Sequence, residues 1–432
     1  MASLRAMAVA VGILLTLAVP ARAENWPQWR GPNFDGSSPE ANLPATWSTA
    51  DGVRWAAPLP GPGSATPAIW GDRVFVSSTD TATSGVLAMC LSAADGKVLW
   101  KHRVGDDAKA PRNNMASPSP VTDGRRAFFL YGNGLLAAFE ADGRAAWTRD
   151  LVKDFGNPAT KYGYSSSPVL YKGKLYVVFL RRPTAYYPPE ETRPALDSYL
   201  LAIDPATGKD LWRTVRPTEA VDESHESYAT PLPLEGAGRS EILLIGGDYA
   251  TGHDPETGRE LWRWCYNPEH VERQRLIPSM VAGDGLIFFA VLRGKATIAL
   301  KPGGSGLRGP EAVAWKFDGQ GTDSPTPLYY KGVVYLPDAD GRNLTALDAK
   351  TGTLKWKGRL GAAGPVRGSP TGADGRIYTL AENGDVFVID AGPEFKVQAR
   401  IPMGGGPNCS TVAVAAGRLY IRTGTTLYCV GK

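Results

Sequence analysis

The segment Ala202-Ile-Asp-Pro-Ala-Thr-Gly-Lys-Asp-Leu-Trp212 decides the fold, because it recurs along the 432-residue chain. The copies at 252–262 and 346–356 keep a spacing of ten residues from a small residue to a tryptophan, with an Asp and a Thr-Gly pair between. A Thr-Gly turn between two short strands is typical of a β-hairpin. The tryptophans that end the strict and the looser copies are Trp55, Trp100, Trp147, Trp212, Trp262, Trp315 and Trp356. We interpret their large flat rings as structural groups that fill the gaps between neighbouring repeats.

A second motif, Ser/Thr-Pro, starts each repeat and is followed by an apolar stretch, a Gly turn and an alternating strand. Successive prolines lie 43 to 63 residues apart, which is a spacing typical of propeller blades. The starts are Thr66-Pro67, Ser119-Pro120, Ser167-Pro168, Thr230-Pro231, Pro278-Ser279, Thr326-Pro327, Ser369-Pro370 and, without proline, Ser410. Each period holds four strands, and stacking such sheets around an axis buries faces that an isolated sheet would expose.

The two ends of the repeat array complement each other. The last repeat stops after its third strand, and residues 53–59 around Trp55 form a fourth strand that no earlier strand precedes. The sequence therefore predicts an all-β, eight-bladed β-propeller of four-stranded antiparallel blades, closed by an N-terminal strand. Six or seven blades remain alternatives, because the seventh repeat lacks a tryptophan.

Composition and charge exclude several other classes of protein. Glycine (50) and proline (35) make up about a fifth of the chain, against a usual 12% or so, which argues against helical bundles. A hydrophobic content of 43% argues against disorder. Lys and Arg (47) nearly balance Asp and Glu (43) without a basic run, so we expect no nucleic-acid partner.

The first residues are typical of an export signal. Arg5 precedes an apolar run, and Ala21-Arg22-Ala23 matches a cleavage site, although an uncleaved anchor is an alternative. We expect a signal peptide at 1–23, an N-terminal extension at 24–52 and one propeller domain at 53–432. No second apolar stretch is long enough to span a bilayer. The protein is thus expected to be exported to the periplasm or the extracellular space, soluble after cleavage and monomeric.

The repeat resembles the tryptophan-docking motif of the pyrroloquinoline-quinone (PQQ)-like propeller family, which includes quinone-dependent alcohol dehydrogenases and BamB-like scaffolds. The dehydrogenase resemblance implies a central PQQ, a calcium ion with carboxylate and amide ligands, an Asp base and two adjacent cysteines. The four cysteines here are Cys90, Cys265, Cys409 and Cys429, so no adjacent pair exists, and we expect ordinary buried positions. No acidic residue matches a calcium or base position by a local motif. We therefore expect no cofactor, no metal and no catalytic residue, with PQQ and calcium only under the dehydrogenase alternative.

Long loops provide the candidate binding residues. The connections 101–116, 148–165, 213–227 and 263–277 are consecutive, and they emerge on one face together with 181–193. Tyr and Arg are the residue types that most often anchor interfaces. The candidate contacts are Arg112, Asn113, Tyr162, Tyr164, Tyr186, Tyr187, His225, Tyr228, Asp248, Arg273 and Arg275. Loops that only pack on themselves are the alternative, and a metal site at His225 and His270 is a weaker one.

The first functional hypothesis is an exported, non-catalytic propeller that binds a protein or peptide partner through this face, in the manner of BamB-like scaffolds. The alternative is a PQQ-dependent oxidoreductase. A second alternative is carbohydrate binding by Tyr186 and Tyr187. The segment that contains Trp26 and Trp29 is expected to lie against the outside or bottom of the propeller.

Overall fold

The structure is a computed structural model that describes residues 24–431 except 109–111, 185–194, 237, 292, 320, 339–341 and 362. The predicted signal peptide at 1–23 lies outside the described residues. No helix in the described part of the chain is both long enough and apolar enough to span a membrane.

Eight sheets surround one axis, so the prediction of an eight-bladed β-propeller is confirmed. Within each blade four consecutive strands pair antiparallel, with the first strand at the channel and the fourth outside. Blade 8 is completed by strand Val53–Pro58, which pairs with Thr426–Val430. The N-terminal strand therefore closes the ring, as its unpartnered sequence predicts.

The strands of the first four blades follow the chain in order. They are Ala68–Trp70, Arg73–Asp80, Gly85–Ser92 and Val98–Asp106 in blade 1; Val121–Thr122, Arg126–Leu130, Leu135–Glu140 and Ala145–Asp150 in blade 2; Val169–Tyr171, Lys174–Phe179, Tyr199–Ile203 and Asp210–Val215 in blade 3; and Leu232–Gly236, Arg239–Gly246, Tyr249–His253 and Glu260–Cys265 in blade 4.

The second half of the ring repeats the arrangement. Its strands are Val281–Gly283, Leu286–Val291, Ala296–Leu300 and Val313–Asp318 in blade 5; Leu328–Tyr330, Val333–Pro337, Asn343–Asp348 and Leu354–Arg359 in blade 6; Thr371–Ala373, Arg376–Leu380, Asp385–Asp390 and Val397–Pro402 in blade 7; and Ala413–Ala415, Arg418–Thr423 and Thr426–Val430 in blade 8. Outside these strands lie the helix Leu151–Phe155, the 3-10 turns Asp222–His225 and Pro310–Ala312, and the added edge strands Ser37–Ser38 and Gly306–Arg308.

The repeat tryptophans lie between neighbouring blades. Trp147 of blade 2 donates its indole Nε1 to the carbonyl of Pro205 in blade 3, at 3.0 Å. Its ring covers Gly208, where a Cβ would lie 2.7 Å from the indole. The same bond to the next blade is made by Trp55, Trp100, Trp315 and Trp356.

Two tryptophans depart from this geometry. Trp212 covers Gly258 of the next blade, but its Nε1 has no hydrogen-bond partner among the described residues. Trp262 instead donates to the carboxylate of Glu241 in its own blade, at 2.7 Å. The added strand Gly306–Arg308 pairs alongside it, and the Arg308 guanidinium lies 5.0 Å from the indole.

The starts of the eight repeats surround the channel, where seven hydrogen bonds among the described residues link them in series; the eighth member is Thr411 and not the predicted start Ser410, whose hydroxyl donates to the Arg422 carbonyl. The backbone N–H of Ser119 donates to Oγ of Ser167, and that of Ser167 donates to Oγ1 of Thr230, both at 3.0 Å. Each bond joins the residue just before the first strand of one blade to the equivalent residue of the next blade. The members of this hydroxyl ring are Thr66, Ser119, Ser167, Thr230, Ser279, Thr326, Ser369 and Thr411.

The N-terminal segment 24–38 crosses the axis on the face opposite the long loops. Trp26 pairs with Ile69 of blade 1, while the buried Arg30 guanidinium donates to carbonyls of blades 6 and 7. The Trp29 indole donates to Oγ1 of Thr411 in the hydroxyl ring, at 3.3 Å. The segment therefore lies at the bottom, as expected, but Trp29 also enters the channel.

Candidate functional site

A cavity of about 940 Å³ occupies the centre of the propeller. Its floor consists of hydroxyl-ring residues and the indole of Trp29. Its walls come from the connections that lead from the fourth strand of one blade to the first strand of the next, and from hairpins between the second and third strands of blades 5, 7 and 8. We call the face on which these connections lie the loop face.

The connections of blades 2 to 5 are tied to one another by backbone bonds. Ser227 N–H donates to the Leu180 carbonyl at 3.1 Å, and Tyr228 N–H donates to the Leu276 carbonyl at 2.8 Å. The Lys161 N–H donates to Oε2 of Glu226 at 2.9 Å. Loops held in this way present fixed side chains, which lowers the entropic cost of binding.

Three cationic groups surround the ring of Tyr162 at the cavity wall. The guanidinium groups of Arg112 and Arg275 lie 5.5 and 5.0 Å from the ring centroid, and the Lys161 ammonium lies 5.5 Å from it. Cation–π attraction holds such groups against an aromatic face. The Tyr162 backbone is fixed because its N–H donates to the Tyr228 hydroxyl at 3.1 Å.

Two buried glutamates lie behind this aromatic group. Glu223 lies 3.0 Å from Nη1 of Arg275 and 3.4 Å from Nζ of Lys161. Glu226 accepts a hydrogen bond from the Tyr228 hydroxyl at 2.8 Å, and its Oε1 atom has no partner in the described structure. Burial raises the pKa of Glu226 to about 7. Glu223 is the carboxyl that contacts the nearby Arg275 and Lys161 cations.

The cavity wall also carries two arginines that sequence reasoning missed. Arg293 comes from the hairpin between the second and third strands of blade 5, and Arg367 from the connection between blades 6 and 7. Arg367 Nε lies 3.3 Å from the carboxylate of Glu382, which also lines the cavity with Asp323. Both arginines are in short connections without a repeat motif, so the sequence carries no signal for them.

The structure brings together five of the predicted contact residues at the cavity. Those that line the cavity are Arg112, Asn113, Tyr162, Tyr228 and Arg275. Tyr164 instead lies in the core, where it stacks on Phe179 and donates to the Val178 carbonyl, so a partner cannot reach it. Arg273 is exposed on the loop face outside the cavity. Tyr186 and Tyr187 lie outside the described residues.

Asp248 is fully buried, and its carboxylate holds a turn together and does not face the cavity. It accepts hydrogen bonds from Asn267 Nδ2 and from His270 Nδ1, both at 2.7 Å. These bonds fix a turn in which Asp248 has a φ of 67°. His225 is half-buried, and burial lowers its pKa. No group of three His, Cys, Asp or Glu side chains in the described regions is placed to hold a metal ion.

The cavity does not fit the calcium-bound quinone site that the dehydrogenase resemblance implies. Calcium takes six to eight oxygen ligands, with carboxylates prominent among them. The cavity carboxyls are Asp323 and Glu382, and Glu382 is already paired with Arg367. Cys409 is the cysteine among the described wall residues, and burial raises its pKa to about 11. The wall thus offers cationic donors in place of calcium ligands.

Comparison with known proteins agrees with the fold. The family model described as "Outer membrane protein assembly factor BamB" matches residues 42–181 and 247–393, about two thirds of the chain. BamB from Moraxella catarrhalis has a TM-score of 0.60 and 15% identity, covering 87% of this chain and 98% of that one. Quinohemoprotein alcohol dehydrogenase from Comamonas testosteroni has a TM-score of 0.65 and 14% identity, covering 94% and 81%.

A curated relative is similar over a shorter region. Polyvinylalcohol dehydrogenase from Sphingopyxis sp. (strain 113P3) is 27% identical over 189 residues, which is 43% of this chain. The matched region spans only about a quarter of the length of that relative, or 26%. The structural neighbours are below 25% identity and therefore share the fold alone, whereas the family match extends over most of the blades. The chain accordingly belongs to the outer membrane protein assembly factor BamB family of PQQ-like β-propellers.

Proposed function

We propose that this protein is an exported, non-catalytic propeller that binds a protein partner through its loop face, with the central cavity at the middle of the contact surface. The observation that carries the proposal is the tied group of connections around Tyr162, which presents tyrosine and arginine side chains at a cavity mouth. Such residues form the energetic centre of many protein interfaces. The chain also belongs to a family whose model is described as an outer membrane protein assembly factor, and this membership supports the proposal of a protein partner.

The second candidate is an oxidoreductase of the quinone-dependent kind. It is favoured by the similarity to polyvinylalcohol dehydrogenase over 189 residues. The charge of the cavity argues against it, because its two carboxyls do not make up a calcium site.

Site-specific photocrosslinking tests the first proposal. A photoreactive residue replaces Glu269, which is exposed on the loop face, and in a control protein it replaces Lys331, exposed in a turn on the opposite face. We expect one discrete protein adduct from the Glu269 position in cells of the source organism and none from the Lys331 position. Equal adducts from both positions, or none from either, would contradict binding through the loop face.

A quinone titration separates the two candidates. Pyrroloquinoline quinone is added to the purified mature protein, with and without calcium, while tryptophan fluorescence and calorimetric heat are followed. We expect no saturable binding that depends on calcium. One-to-one binding at micromolar concentration or tighter that requires calcium would overturn the non-catalytic proposal and lead to an alcohol oxidation screen.

A further inference from the structure

We propose that the central cavity receives the acidic C-terminal tail of the partner protein, whose carboxylates are bound by the cavity arginines. This inference rests on the proposed function and names the chemistry of the part of the partner that enters. It is carried by the excess of positive charge, by two exposed arginines that have no ion-pair partner among the described residues, and by the shape of the cavity.

The charges that line the cavity are unequal. Four guanidinium groups, of Arg112, Arg275, Arg293 and Arg367, line the cavity with two carboxyls, of Asp323 and Glu382, and a third carboxyl, Glu223, pairs with Arg275 from behind the wall. Neither Arg112 nor Arg293 forms an ion pair with any residue that the structure describes. A cleft lined by one sign of charge concentrates the field and attracts ligands of the opposite sign. The cavity is therefore built for an anionic ligand.

Arg275 is already paired by the protein, so the cavity cations without an ion-pair partner among the described residues are Arg112 and Arg293. The Arg275 side chain is 8% exposed, and its Nη1 atom lies 3.0 Å from the Glu223 carboxylate. Arg112 and Arg293 are both exposed, and a guanidinium binds a carboxylate through two parallel hydrogen bonds. A carboxylate in the cavity can therefore be bound by these two arginines.

The positions of the arginines favour several carboxylates along one ligand. Arg112 comes from the connection between blades 1 and 2, Arg275 from that between blades 4 and 5, and Arg367 from that between blades 6 and 7. The Arg112 and Arg275 guanidinium groups both lie against the Tyr162 ring, whereas Arg367 reaches the cavity from another part of the wall. A volume of about 940 Å³ is also far larger than one carboxylate needs. A peptide with several acidic side chains matches both the spread of charge and the volume.

The floor of the cavity favours a chain end over the middle of a chain. Trp29 and the segment 24–38 lie across the axis opposite the loop face. A ligand therefore enters from the loop face and stops at the floor. A C-terminal tail does this without doubling back, and its terminal carboxylate adds one more anion.

The test uses fluorescence anisotropy of a labelled probe with the purified mature protein at low salt. The probe is an octapeptide, Gly-Ser-Gly-Glu-Asp-Glu-Asp-Glu, with fluorescein at its N-terminus and a free C-terminus. We expect saturable one-to-one binding that weakens as salt is added. A C-terminal amide should weaken binding several-fold, and replacing each Glu and Asp by Gln and Asn should abolish it.

Protein variants identify the cavity as the binding site. The double substitution Arg112→Gln with Arg293→Gln removes two exposed cations and should weaken binding by about tenfold or more. Arg359→Gln is the matched control, because Arg359 is exposed on the outer strand of blade 6 and should leave binding unchanged. Equal binding by the double variant and the wild-type protein, or equal binding of the neutral peptide, would overturn the inference.

Competition distinguishes the source of the carboxylates. Citrate that displaces the probe at concentrations below those of unlabelled peptide would identify a free small polycarboxylate as the ligand and would overturn the tail proposal. Failure of the peptide to bind, with a crosslinked adduct still formed at position 269, would refute the tail and leave the proposed function standing. Absence of that adduct together with calcium-dependent quinone binding would refute the proposed function itself.

Discussion

The contact between Trp147 and Gly208 allows a direct test of what holds neighbouring blades together. Gly208 has a φ of +73°, and a Cβ at this position would lie 2.7 Å from the indole ring. Gly173, in another turn of the same blade, has a φ of +71° and no atom within 4 Å of such a Cβ. The substitutions Gly208→Ala and Gly173→Ala therefore share the backbone cost and differ in the indole contact.

The size of the difference follows from these contacts. A left-handed conformation costs alanine about 1–2 kcal/mol, and this cost applies at both positions. At Gly208 the added methyl must also displace the Trp147 ring, which disturbs its packing and its 3.0 Å bond to the Pro205 carbonyl. Overpacking and a lost hydrogen bond add about 1–3 kcal/mol. We expect Gly208→Ala to lower the free energy of unfolding by about 2–5 kcal/mol, and Gly173→Ala by only about 1–2 kcal/mol.

Urea unfolding of the two variants and the wild-type protein measures this difference. The comparison uses midpoints at constant m-value, so that each shift reports stability rather than a change in the exposed surface. Equal losses for the two alanine variants, within about 0.5 kcal/mol, would refute the argument that the indole contact stabilises the ring.

Two further predictions concern the cavity floor and wall. Ser167→Ala removes the acceptor of the Ser119 N–H and should lower the free energy of unfolding by about 1–3 kcal/mol. Ser165→Ala, in the same cavity wall, should change it by less than about 0.5 kcal/mol, and equal effects in thermal unfolding would contradict the role of the hydroxyl ring. Burial raises the pKa of Glu226 in the folded protein to about 7, from the ordinary value of 4.5. Between these two pH values the folded protein keeps a proton that the unfolded chain loses. The free energy of unfolding therefore falls as the pH rises through this range. Glu226→Gln should remove about 3 kcal/mol of this fall in the free energy of unfolding. Parallel curves of stability against pH for the variant and the wild-type protein would contradict the raised pKa of Glu226.

The repeat pattern was sufficient to predict the number of blades and the strand that closes the ring. Both depend on spacings that are printed in the sequence, namely the Thr-Gly turns, the tryptophans and the unpartnered strand around Trp55. The role of the Ser/Thr-Pro hydroxyls was not visible, because each hydroxyl binds a backbone group about one whole repeat away. Trp262 shows the same limit, since its partner Glu241 replaces the usual carbonyl of the next blade.

The candidate site was predictable only in part, because loop residues carry no periodic signal. Tyr162 and Tyr164 are two positions apart, yet one lies at the cavity and the other stacks in the core on Phe179. The direction of a side chain in an irregular loop depends on contacts with other loops, which a single sequence does not reveal. Arg293 and Arg367 reach the cavity from the short connections of the ring, where no residue pattern distinguishes them from solvated arginines.

The strand that closes blade 8 also has a consequence for how the chain folds. Val53–Pro58 pairs with Thr426–Val430, and the Trp29 bond to Thr411 spans 382 positions. Contacts between such distant residues form slowly, because the chain entropy lost on closing long loops must be overcome first. The first seven blades therefore form an open arc, with an uncovered apolar sheet face at each end, until the last repeat has been synthesised. During that interval these faces are exposed to contact with other chains, so ring closure is a step at which folding competes with aggregation.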